Sequence, residues 1–183
     1  MENKLTLKDN AVIMGKPAPK KVDEKYATNY AAGYEEDNPN NLVRLNIGCG
    51  LAKLKNYINL DCNPDVQPDV LRNMERGLPF NDNTFDEILC EQTLEHVNDL
   101  IFCMNEIHRV LKPGGILKLS VPLLSGMWAY IDPTHKRLFH PRSFDFFMVK
   151  DYNSMTAGVT GWYKCIKANI VEHSIYLTLA ATK

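Results

Sequence analysis

No apolar run in this chain approaches the ~20 residues a membrane-spanning helix needs, and the polar start MENKLTLKDN lacks a signal-peptide core. These absences point to a soluble, cytoplasmic protein with no membrane partner. Neither charge is in excess: 21 basic residues face 22 acidic ones, a formal net charge of -1, so no global pull toward nucleic acid is expected. There is no CxxC pair. The five cysteines (Cys49, Cys62, Cys90, Cys103, Cys165) are odd in number and widely spaced, which argues against a disulfide framework or a zinc site and for buried free thiols in a reducing compartment. No metal is expected. Two nucleotide signatures are also missing: no GK[ST] follows the glycine turn, and Lys53 stands where the third glycine of GxGxxG belongs.

What is present fits one globular domain, with 183 residues, 45% of them hydrophobic and 23% charged. Residues 1–41 read as an N-terminal extension, in which Tyr26, Tyr30 and Tyr34 recur at helical spacing after Asp23; a helix over residues 23–36 would present one aromatic face. Residues 42–183 alternate short apolar strands with helical segments, the pattern of a parallel α/β sheet. Strands are expected near Val43–Ile47, Tyr57–Leu60, Asp69–Leu71, Phe85–Cys90 and Ile116–Val121. Leu100, Met104, Ile107 and Leu111 share a helical face, and Lys112-Pro113-Gly114-Gly115 stops that helix. Two β-rich runs, YKCIKANIV and SIYLTLAAT, are separated only by Glu172 and His173. So short a link makes an antiparallel hairpin. The stretch Arg142–Tyr152 reads as a helix.

The run Val43–Gly50, VRLNIGCG, followed by Tyr57–Asp61, YINLD, is the most informative stretch. An apolar strand that breaks at a glycine turn lets backbone approach a ligand. A carboxylate at the tip of the next strand is placed to accept hydrogen bonds from a ribose diol. Together they indicate a nucleoside-bearing cofactor.

With LNIGCG, NLD, LPFNDNTFDEILC, LEHV and RVLKPGG in order, the chain resembles the class I S-adenosylmethionine-dependent methyltransferases. It is most similar to small predicted members in which a DPTHKRLFHPRSF-like loop follows the fifth strand. The resemblance implies a Rossmann-like, seven-stranded, mostly parallel sheet whose C-terminal hairpin is antiparallel. It implies S-adenosyl-L-methionine as cofactor and S-adenosyl-L-homocysteine as product. Carried over, Asn46, Gly48, Cys49 and Gly50 pass beneath the methionine part, Asp61 holds the ribose hydroxyls, Asn73 and Met74 meet the adenine, and Glu91 and Gln92 face the methionine end.

Glu95 and His96 open the next helix and are read as structural, and His108 as a solvated side chain. The acceptor side falls to the loop from Leu123 to Phe144. There His135 is the candidate base, oriented by Asp132, while Lys136, Arg137 and Arg142 are placed to receive an anionic group. A small-molecule or glycan-type acceptor is expected rather than nucleic acid. Two alternatives stay open: a catalytically silent S-adenosylmethionine-binding partner subunit, and an NAD(P)-dependent oxidoreductase.

Ten residues between Gly50 and Asp61 leave room for only a shortened first crossover helix. The tyrosine face of the extension, or a second copy of the chain in a homodimer, is expected to cover the sheet there.

Overall fold

The structure, a computed structural model, describes residues 12–13 and 41–183. The expected helix over 23–36, with Tyr26, Tyr30 and Tyr34, lies outside the described residues, as does most of the extension.

Eight strands form one sheet among the described residues: β1 (Val12–Ile13), β2 (Arg44–Ile47), β3 (Ile58–Asp61), β4 (Val70–Leu71), β5 (Phe85–Glu91), β6 (Leu111–Pro122), β7 (Trp162–Val171) and β8 (Ser174–Thr182), in the order β1-β4-β3-β2-β5-β6-β8-β7. The strands from β4 across to β6 run parallel. β8 joins β6 antiparallel and β7 returns antiparallel along β8. This is the seven-stranded Rossmann-like sheet with its C-terminal hairpin, and the turn at Glu172 takes a φ of 51°. The eighth strand was not expected: Val12 and Ile13 pair with Leu71 and Val70 at the outer edge.

Only one crossover holds a long helix among the described residues. Helix α1 (Leu100–Val110) starts where the Asp99 carboxylate accepts from the Phe102 amide at 2.8 Å, a side-chain N-cap for an otherwise orphan donor. Its Cys103, Met104, Ile107 and Val110 are buried against the sheet. His108 is not simply solvated: its Nε2 is 3.0 Å from the Thr182 carbonyl and its ring meets Tyr163 edge-on at 5.3 Å.

The first crossover, residues 48–57, contains no helix at all. Leu45, Ile47, Ile58 and Leu60 point to one face of β2 and β3 and are buried, while the paired residues Asn46 and Asn59 point to the other. The crossover folds over that second face and is tied down by these two amides. Asn46 Nδ2 donates to the Ala52 carbonyl at 3.2 Å and to Asn59 Oδ1 at 3.1 Å. Asn59 accepts from the Leu54 amide at 2.8 Å and donates to the Leu54 and Tyr57 carbonyls at 3.1 Å each. A loop lying on a sheet must satisfy its backbone polar groups, and polar side chains replace the apolar contacts a crossover helix would make.

The single helix expected over Arg142–Tyr152 is instead a 3₁₀ turn at Asp145–Phe147 and a separate short helix, α3 (Tyr152–Thr156), which follows α2 (Trp128–Ile131). Two causes break it. Phe144 and Phe147 are both drawn into the core, 0% and 1% exposed, a three-residue spacing that suits a 3₁₀ turn. Asp151 then takes extended dihedrals and caps α3 through a reciprocal box with Ser154. Of the five free thiols, Cys49, Cys90 and Cys103 are buried, whereas Cys62 and Cys165 are exposed, unlike the expectation. No helix of the described residues is long and apolar enough to cross a membrane.

Candidate active site

The glycine bend is welded to the tip of β3. The Gly48 and Cys49 amides donate to the Leu60 carbonyl at 2.8 and 3.1 Å, and the Gly50 amide donates to Asp61 Oδ2 at 2.8 Å. The other carboxylate oxygen of Asp61 accepts from the Asn63 amide at 2.8 Å. Each oxygen keeps a further lone pair, since a carboxylate accepts about four hydrogen bonds. Gly48 has a φ of +68°, and a Cβ there would stand 2.1 Å from Thr93 Oγ1. Glycine is therefore required by both backbone and neighbour.

These residues open onto a cleft of about 650 Å³ at the C-terminal ends of the parallel strands, within the range of about 300–1,000 Å³ usual for small-molecule sites. Of the expected cofactor residues, Gly48, Gly50, Asp61, Asn73, Met74 and Gln92 line it. Asn73 also caps a 3₁₀ turn, its Oδ1 accepting from the Glu75 amide at 2.9 Å. Gln92 sits at a φ of 46° and donates to Ser120 Oγ at 3.2 Å.

Three expected residues do not line the cleft. Asn46 is the buried staple of the first crossover, Cys49 is 2% exposed, and Glu91 points into solvent at the end of β5. Burial and then the Asp61 carboxylate push the Cys49 thiol up to about 11. It stays protonated at neutral pH.

Beside the cleft the 3₁₀ turn Leu94–His96 meets the loop after α2. His96 and Thr134 line the cleft; His135 does not. Asp132 Oδ2 stands 3.7 Å from His135 Nε2, within ion-pair reach but too far for a hydrogen bond. His135 is instead held through Nδ1 by the Ala129 carbonyl at 3.2 Å, and its ring meets that of His96 edge-on at 4.8 Å. Asp132 serves Thr134, accepting from both its amide and its hydroxyl at 2.8 and 2.6 Å, and Thr134 Oγ1 is 2.9 Å from His96 Nδ1. Glu95 is 1% exposed, and burial raises its carboxyl to about 7. The cations expected to greet an anionic acceptor are partly committed: Arg137 Nη2 donates to the Val97 and Asn98 carbonyls at 2.9 and 2.7 Å, and Arg142 pairs with Asp145 at 2.6 Å.

Residues 45–119 match the family model described as a methyltransferase domain. The match and the fold together support a class I S-adenosylmethionine-dependent methyltransferase domain over these residues. Among curated proteins the chain is 31% identical to human arginine-hydroxylase NDUFAF5, mitochondrial, over 99 residues, 44% of this chain and 29% of that protein. It is 46% identical over 51 residues to demethylmenaquinone methyltransferase of Staphylococcus epidermidis, 26% of this chain and 21% of that one. The chain thus spans less than half the length of these relatives. A crystal structure of a SAM dependent methyltransferase from Archaeoglobus fulgidus shares the fold with a TM-score of 0.55 at 15% identity, covering 85% of this chain and 91% of that one.

The methyltransferase-domain match implies S-adenosylmethionine as the cofactor, and the cleft fits that group. A Cβ built on Gly50 meets nothing within 4 Å, so the bend faces open space. Lining residues beyond the expected set include Cys62, Asn63, Glu75, Thr93, His96 and Thr134. Glu75 closes one end by accepting from the Asn98 and Asp99 amides at 2.7 and 3.1 Å. Thr93 is marked in sequence only by its place after β5; Thr134 and His96 meet through tertiary contact alone.

Proposed function

We propose that the protein transfers a methyl group from S-adenosylmethionine to a small-molecule or glycan-type acceptor by in-line displacement. The observation that carries this reading is the Asp61–Gly50 junction at the floor of the cleft: a strand-tip carboxylate with lone pairs to spare, fixed against a bend whose two cleft-lining residues are glycines. Asp61 would hold the ribose hydroxyls, the Gly48–Gly50 bend would lie under the amino-acid tail, and Asn73, Met74 and Gln92 line the remaining walls. When bound, the cofactor supplies an electrophilic methyl on a positively charged sulfur.

The chain's own task is alignment and exclusion of water. The Glu75 bridge to Asn98 and Asp99 fixes one wall. On the acceptor side, α2 leaves Trp128 and Tyr130 57% and 61% exposed on either side of the Ala129 that holds His135. Such an exposed aromatic pair suits an apolar ring or a sugar face. It favours a small or glycan acceptor over nucleic acid, in line with the near-neutral net charge. A proton released by the acceptor leaves toward the imidazole corner, where His96 rather than His135 borders the cleft. Five free thiols accord with a reducing, cytoplasmic setting.

Calorimetric titration with S-adenosylmethionine and then NAD tests the cofactor; binding of NAD alone overturns the reading. Incubation with an extract of the source cells, followed by mass spectrometry, is expected to show a product heavier by one methyl. Cofactor binding with no turnover in any extract would instead mark a silent subunit.

A further inference from the structure

We propose that Glu95, His96 and His135 form a site for a divalent cation of the zinc class at the edge of the cofactor cleft. One donor atom from each of the three lies within 4.8 Å of the other two. The argument rests on where the protons sit. A carbonyl only accepts, so the contact with Ala129 O puts the proton of neutral His135 on Nδ1 and leaves a bare lone pair on Nε2. The Thr134 hydroxyl spends its single proton on Asp132 Oδ1 and must accept from His96 Nδ1, which leaves the Nε2 of His96 bare as well. Both imidazoles are thus fixed by an outer hydrogen bond in the tautomer that ligates through Nε2, the arrangement that orients metal-binding histidines.

Glu95 adds the independent observation. It is 1% exposed, and its Oε2 has no hydrogen-bond partner among the described residues. A buried carboxylate oxygen left without a donor is costly. Asp132 Oδ2, 3.7 Å from His135 Nε2, adds a fourth electron-rich atom. The neighbouring guanidinium of Arg137 is turned to the Val97 and Asn98 carbonyls. What converges here is a set of lone pairs, and two imidazoles with a carboxylate suit zinc, cobalt or a similar cation while leaving coordination positions open. Donors about 2.0–2.2 Å from such an ion stand roughly 3–4 Å apart, so binding would draw the three side chains inward by about an ångström. Because His96 borders the cleft, the cation would act as a Lewis acid on an acceptor oxygen. That role rests on the proposed function; the binding does not.

Tag-free full-length protein, stripped with chelator, is dialysed against Zn²⁺ and separately titrated with Co²⁺. One equivalent per chain and the visible ligand-field bands of a cobalt–imidazole site are expected. His135→Ala and Glu95→Gln should each weaken binding at least tenfold. Thr134→Val, at an exposed position that leaves the fold intact, should weaken it by about ten- to a hundredfold by releasing His96. His140→Ala should change nothing. Absence of a stoichiometric equivalent in the wild type, or wild-type affinity in His135→Ala and Thr134→Val, would overturn the site. Calorimetry with S-adenosylhomocysteine separates the two readings: cofactor binding without metal sinks this inference alone, and metal binding without cofactor sinks the proposed function alone.

Discussion

Asn46 Nδ2 donates to Asn59 Oδ1 at 3.1 Å, across the sheet face that a crossover helix would otherwise cover. The pair converts the missing helix into a hydrogen-bonded lid made of backbone. Asn59 carries most of it, since its amide also holds the Asp69 carboxylate at 2.8 Å.

Asn59→Ala should therefore be costly. It leaves the Leu54 amide and the Leu54 and Tyr57 carbonyls without that partner, at about 1–3 kcal/mol for a buried group left unpaired. For a domain of this size the melting temperature should fall by about 2–12 °C, and thermal unfolding followed by circular dichroism reads it. Asn46→Ala, which loses two bonds, should cost less.

Asp61→Asn keeps the size of the side chain and removes its charge. A hydrogen bond to a charged group contributes about 1.5–3 kcal/mol, so affinity for S-adenosylmethionine should fall by roughly ten- to a hundredfold. Calorimetric titration measures this, and unchanged affinity would remove Asp61 from the ribose.

Gly48→Ala meets two obstacles, a left-handed φ of +68° and Thr93 Oγ1 at 2.1 Å. The backbone part costs about 1–2 kcal/mol. Thr93→Ala in the same chain should relieve the collision but not the backbone strain, so a double-mutant cycle by chemical denaturation should show partial rescue. Full additivity would mean that the two side chains do not compete.

Burial lowers the pKa of His108. As the pH drops below the ordinary histidine value of about 6.5, the unfolded chain takes up a proton that the folded protein refuses. Stability contributed by neutral His108 is then present above that pH and lost on acidification toward the lowered folded pKa. His108→Gln should flatten this part of the curve of melting temperature against pH, measured by scanning calorimetry.

Removing residues 1–40 deletes β1 and bares the outer edge of β4, where Val12 and Ile13 pair with Leu71 and Val70. A clear fall in melting temperature is expected. An unchanged value would show that the extension adds nothing to the sheet.

Much of the fold was readable because its signals are local. Strand spacing, the stop after α1 and the two-residue link of the hairpin each follow from a few adjacent residues, and the glycine bend with Asp61 follows from one crossover. The position of Asn46 in LNIGCG points to the cofactor, but the alternation of β2 turns its side chain onto the face covered by the first crossover. No single helix spans Arg142–Tyr152 because Phe144 and Phe147 turn into the core while Asp151 caps a new helix. An imidazole near Asp132 in sequence suits a base, yet three residues of spacing leave 3.7 Å between their polar atoms.

By itself the sequence determined where most strands lie along the chain, the place of the glycine bend and the carboxylate beside it, since backbone dihedrals and apolar periodicity act over short stretches of chain. Only the tertiary structure decided that His96 meets Thr134, that Glu95 is buried with an unmatched oxygen, and that two asparagines stand in for a helix. Those outcomes depend on distant segments sharing a small volume, where each polar atom takes whichever partner the packing brings within reach.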